Sequence, residues 1–297
     1  MKQTRKNLFY LLGGMALLLV IFVIIWYTKR EGLTTNTTTT KTKPKQYLNG
    51  IDMIYWINLD RSSDRRSQME SMFEDKAFKG IPNQRISAFD GKKNTKLVFS
   101  KLNIPFPKKQ TNIEYACLLS HLEAIRTFHE SENKVALIFE DDVTLEFKQY
   151  WTKTVNQIME NAPSDWDIIL LSYIYKDKTN KFFNWDTTTE DYDNATNYYS
   201  GISYLINKKG SSKIMKTYQN GIYTLDKDTN HVADSHIYQL TNSYAYKYPM
   251  FIYATVNNST IHADHIPYHV FSKEQILKNY SQPQPQPLKK VDPKSKT

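Results

Sequence analysis

Two short runs constrain the fold of this chain more than anything else in it. Residues 135–139 (VALIF) and 167–173 (DIILLSY) place apolar side chains at successive positions rather than alternate ones. A strand sends neighbouring side chains to opposite faces of its sheet, so such runs suit strands covered on both sides, as in a parallel sheet flanked by helices. The segments between them supply the cover. Residues 63–77 read as a helix with Met69, Met72, Phe73 and Ala77 on one face, and residues 112–130 as a second with Leu118, Leu122 and Ile125 in a stripe. Weaker helical patterns lie at 151–160 and 211–218, further strands at 51–58, 85–89, 201–206 and 250–256, and a long polar loop at 177–199. Strands alternating with helices predict an α/β domain over residues 51–280. The single cysteine, Cys117, excludes an intramolecular disulfide framework and any Cys-rich zinc module; it reads as a buried helix residue.

The ends have a different character. Residues 8–27 contain no charge, and at about 1.5 Å per residue they reach across the ~30 Å apolar layer of a bilayer. Trp26 and Tyr27 at one edge suit the interface. A signal peptide would have a shorter apolar stretch and a small-residue cleavage site, which does not follow. The expectation is a single-pass membrane anchor behind a short basic flank (1–7). Lys2, Arg5 and Lys6 lean it towards a type II orientation. Residues 28–50 form a Thr-rich stalk and 281–297 a Pro/Gln/Lys tail without apolar period. The net charge of +9 belongs to these ends, because residues 51–280 hold 27 basic and 28 acidic side chains. A nucleic-acid groove would need its surplus in the folded body, so no nucleic-acid partner is expected. Asn36, Asn194, Asn257, Asn258 and Asn279 begin N-x-[ST] sequons.

Chemistry-bearing residues gather at strand ends, where open α/β sheets bind ligands. Glu140, Asp141 and Asp142 follow the VALIF run. Three adjacent carboxylates repel one another, and a divalent cation such as Mg²⁺ or Mn²⁺ removes that cost; a solvated acidic turn is the other reading. With the chain extended, Glu140 and Asp142 would share one side and Asp141 would face the other. Asn58, Asp60 and Arg61 end the first strand, and Asp64, Arg65 and Arg66 open the next helix, as phosphate ligands or as local ion pairs. Glu114 and His121, seven residues apart, share a helix face about 10 Å apart. Asp234 reads either as a helix-start residue or as a catalytic carboxylate. His262, Asp264 and His265 read as a metal shell or a polar loop.

In order along the chain, YWINLDR (55–61), DRR (64–66), AFDGK (88–92), EYACLLSH (114–121), VALIFEDDV (135–143), GISYLI (201–206) and Asp234 resemble glycosyltransferase family 25, which includes bacterial lipopolysaccharide and lipooligosaccharide glycosyltransferases and collagen galactosyltransferases. The resemblance spans about residues 51–265; Ala116 stands where the family usually has Gly. It implies a GT-A, Rossmann-like fold and an inverting transfer of galactose or glucose from a nucleotide-sugar, a UDP-hexose, to a glycan, glycolipid or protein hydroxyl. It implies Mn²⁺ or Mg²⁺ on Asp142, with Asp141, His262 and His265 as further ligands. Donor contacts fall to Asn58, Asp60, Arg61, Arg65, Glu140 and Asp141, the general base to Asp234, and accessory roles to Glu114, Ser120 and His121. A metal-dependent phosphoryl or nucleotidyl enzyme would share the acidic strand end, but no G-x-x-x-x-G-K-[ST] loop occurs. A membrane-tethered binding protein without activity is the other competing class.

Overall fold

The computed structural model describes residues 46–107, 109–176, 191–254 and 266–281. The expected anchor, stalk and tail lie outside these residues, as do His262, Asp264 and His265. Among the described residues no helix is long and apolar enough to cross a membrane.

A seven-stranded sheet organises the fold. Its strands are β1 (Met53–Asn58), β2 (Asn83–Ser87), β3 (Val135–Glu140), β4 (Ile168–Leu170), β5 (Tyr192–Asn194), β6 (Ser203–Asn207) and β7 (Ser243–Tyr246), in the spatial order β2-β1-β3-β6-β4-β7-β5. β2, β1 and β3 run parallel, and β7 runs parallel to β4. β6 is antiparallel to both β3 and β4, and β5 is antiparallel to β7. The expected parallel sheet is therefore a mixed one. The reason is local: β6 lies in the sheet's centre and buries both faces whichever way it runs, so its apolar run carries no direction.

The helices are α1 (Ser63–Phe73), α2 (Thr95–Ser100), α3 (Asn112–Glu130), α4 (Val155–Asn161), α5 (Lys208–Met215), α6 (Ala233–Gln239) and α7 (Ile266–Ser281). α3 begins on a capping box. The Thr111 side chain accepts from the Glu114 amide, and the Glu114 carboxylate accepts from the Thr111 amide at 2.7 Å. It packs on β1, β2, α5 and α6 and buries Leu118, Leu122, Ile125 and Phe128 completely. The helix expected over 63–77 stops at Phe73. Asp75 then caps a separate 3-10 turn at Lys76–Phe78, accepting from the Ala77 amide at 2.8 Å, and so breaks the predicted stripe. The C-terminal part of the expected 177–199 loop holds β5 and the short strand Tyr198–Tyr199, which pairs with Ile174–Tyr175. Of the strand expected at 250–256, Ile252–Tyr253 is described and pairs with Val143–Thr144. Among the sequons, Asn194 is exposed, whereas Asn279 is buried in α7 and could not carry a glycan without local unfolding.

Candidate active site

β1, β2 and β3 end at one edge of the sheet, and β6 begins there, Ser203 lying opposite Phe139. The chain does not stay extended past Glu140: Asp141 and Asp142 form a turn. That corrects the expected parity, because Glu140 and Asp141 both line the pocket at this edge. The pocket opens to solvent at this edge, at the strand ends where α/β sheets take their ligands.

Its first wall is a charge-assisted network. Asn58 donates from Nδ2 to Asp141 Oδ2 at 2.7 Å, and Arg65 donates from Nη1 to Asp141 Oδ1 at 2.7 Å. Both oxygens of Asp141 are thus held by the chain's own donors, so Asp141 faces the pocket as half of an ion pair and not as an open cation ligand. Asn58 is itself fixed by Arg85, which donates to its Oδ1 at 2.9 Å. The second wall is the 88–92 loop. Arg61 donates to Asp90 Oδ2 at 2.8 Å, and Asp90 Oδ1 accepts the Lys92 amide at 2.9 Å. Burial alone would raise the Asp90 carboxyl; the Arg61 bond and the loop amides outweigh it and hold it below the usual range. Ser120 on α3 accepts the Phe89 amide at 2.9 Å, which ties this loop to the helix. Gly91 lets the loop lie on the start of α3, since a Cβ there would meet the Asn112 carbonyl oxygen at 2.5 Å. Phe89, Asp90 and Lys92 line the pocket, although the sequence reading gave them no role; the AFDGK block was the signal.

The floor comes from α3 and β3. His121, buried, contacts Glu140 Oε1 through Nε2 at 3.1 Å and the Tyr204 hydroxyl through Nδ1 at 3.1 Å. Gly201 abuts this pair: a Cβ on it would lie 2.5 Å from Glu140 Oε1. The preceding Ser200 has φ +143°, a strained conformation for a residue with a side chain. Two groups of α6 hold it there. Asp234 Oδ2 accepts the Ser200 amide at 2.7 Å, and the Tyr238 hydroxyl donates to the Ser200 carbonyl. Asp234 Oδ1 accepts the Ser235 amide at 2.6 Å. Burial raises the Asp234 carboxyl above its ordinary value, with the two amides acting against the rise. Asp234 sits in the first turn of α6 and braces the corner beside Glu140 without lining the pocket.

Asp142 carries the observation that bears on a metal. Its Oδ1 is buried with no hydrogen-bond partner, and burial, then the neighbouring Glu140, pushes its carboxyl up to about 7. A buried carboxylate oxygen without a donor, next to two further acids, suits a hard divalent cation. Two of the predicted site residues lie elsewhere. Asp60 is exposed and paired with Arg85, and Glu114 closes the α3 cap.

The model of glycosyltransferase family 25 (LPS biosynthesis protein) matches residues 51–229, more than half of the chain. The chain is similar to a glycosyltransferase 25 family member of Drosophila melanogaster, 26% identical over 187 residues, which cover 58% of this chain and 29% of that one. It is also similar to procollagen galactosyltransferase 2 of Homo sapiens, 29% identical over 151 residues, covering 43% and 23%. The chain spans less than a third of the length of these curated relatives. With the family model covering every residue that lines the pocket, the chain belongs to glycosyltransferase family 25.

Proposed function

We propose that this protein is a metal-dependent, inverting hexosyltransferase that moves galactose or glucose from a UDP-sugar to a glycan, glycolipid or protein hydroxyl. One observation carries the reading: the pocket at the strand ends is walled by Asn58, Arg65 and Asp141, and the next residue in the chain, Asp142, holds a buried, unpartnered carboxylate oxygen. The name of the human relative favours galactose. The GT-A class is part of the same proposal, as are residues 8–27 as a type II single-pass anchor and 51–280 as the transferase domain.

Asp142 would hold Mn²⁺ or Mg²⁺, with ligands from His262 and His265 as further candidates. Such a cation supplies positive charge to a diphosphate leaving group. Arg61, Lys92 and the Asn58–Arg65–Asp141 wall orient the donor. Two acids are candidates for the proton of the acceptor hydroxyl. Asp234 has a proton affinity raised by burial but stands behind the Ser200 corner. Glu140 lines the pocket directly and is oriented by His121, which favours it.

The test is UDP-hexose turnover with and without Mn²⁺ in wild type and in Asp142→Ala. The variant should keep its fold and lose metal-dependent turnover by ~10²-fold or more; near-wild-type turnover would sink the assignment. Asp234→Asn and Glu140→Gln then separate the two bases: the one that binds UDP normally but loses turnover is the base.

A further inference from the structure

Beside the His121–Glu140 pair, the pocket floor holds Cys117, which the proposed transfer does not use. Cys117 and His121 are one helical turn apart on α3, so both leave the same face. Glu140 reaches them from the end of β3. One ligand atom from each, a thiol sulfur, an imidazole nitrogen and a carboxylate oxygen, lies within 4.8 Å of the other two. Ligands around a tetrahedral zinc stand about 3.5 Å apart, so small rotations of Cys117 and Glu140 close the set.

The surroundings are those of a metal site. Tyr204 engages His121 Nδ1 at 3.1 Å, the second-shell contact that fixes which imidazole nitrogen is free to ligate. The absent side chain of Gly201 leaves the ligands room on the β6 side. All three residues line the pocket, so a fourth coordination position opens into it. A thiolate and a carboxylate together balance a dication. The donor set of sulfur, nitrogen and oxygen also differs in kind from the oxygen chemistry of Asp142: it selects a soft or borderline cation over Mg²⁺ and Mn²⁺.

We propose that Cys117, His121 and Glu140 bind zinc at the floor of this pocket, whether or not the pocket takes a sugar nucleotide. The experiment titrates the full chain with Co²⁺, followed by absorption, and then with Zn²⁺. A near-ultraviolet sulfur-to-cobalt band should appear, vanish in Cys117→Ser, and be displaced by Zn²⁺ but not by excess Mg²⁺ or Mn²⁺. Cobalt binding without that band in wild type overturns the site, as does a band that survives in Cys117→Ser. Tyr204→Phe, which removes only the second-shell contact, should weaken zinc about tenfold, and Cys117→Ser by more.

Discussion

Asp141 accepts from both Asn58 and Arg65, so the consequence of losing one donor can be stated. The Arg65 side chain is 22% exposed and that of Asp141 is 10% exposed, which places the pair between surface and core. Arg65→Met leaves a mostly buried carboxylate with one donor and should cost on the order of 2–3 kcal/mol in urea unfolding. Adding Asp141→Asn should recover part of that loss, and a double-mutant cycle with no coupling would show the pair to be incidental. His236 gives a pH signature. Burial first, and then His231, lowers its pKa to about 4, against about 6.5 in an unfolded chain. The unfolded state therefore binds more protons between pH 4 and 6.5. The contribution of His236 should fall as pH drops through that window, by up to ~3 kcal/mol. Asp142 opposes it, because its raised carboxyl takes up a proton in the folded state over the same window. Urea midpoints at pH 4.5 and 7 in wild type and His236→Gln check this: the variant should lose the part of the acid-side destabilisation that His236 supplies, and an unchanged difference between the two midpoints would show that His236 contributes none.

At the scale of elements, α3 matters most, because it presents Ser120 and His121 to the pocket and Cys117 beside them. Its start is fixed by Thr111 and Glu114. Thr111→Ala should cost about 1 kcal/mol, visible as a lower melting temperature, while Mn²⁺-dependent turnover below the melt persists, since neither cap residue reaches the pocket. The cap was not legible, since Glu114 read as a site residue, but the helix was legible to the residue, from a strong stripe of Leu118, Leu122 and Ile125. β1 and β3 were legible for the same reason. The 63–77 helix was over-extended, because Asp75 ends it by capping a turn of its own, a choice that helical spacing does not encode. β5 and Tyr198–Tyr199 were hidden in a polar segment. An edge strand buries few side chains, and Tyr192–Asn194 shows no alternation to find.

For the whole molecule, the chain separates into Met1–Lys45 and Gln46–Thr297. A fragment starting at Gln46 should fold alone and show the same turnover as the full chain in the proposed UDP-hexose assay; aggregation, or turnover in the full chain alone, would show that the first unit is needed. The site's outline was readable at this scale, since strand ends of an α/β domain attract the chemistry and EDD marks one. What joins the pieces was not. Asn58 and Asp141 are 83 positions apart, and no local pattern announces that they meet. The turn at Asp141–Asp142 also reversed the side-chain parity that an extended chain would have had.

The reversed direction of β6 has a bearing on how such a protein changes its preferences. Because β6 starts at the pocket edge, the polypeptide before it must return to that edge, and Ser200, Gly201 and Ile202 are its last residues before the sheet. That return is pinned twice on the way, by β5 on β7 and by Tyr198–Tyr199 on Ile174–Tyr175. Substitutions at Ser200 or Gly201 would therefore alter what stands next to Glu140 while β1, β2 and β3 keep their register. Evolution, or an engineer, has in that corner a place to change the neighbourhood of one carboxylate without touching the parallel strands.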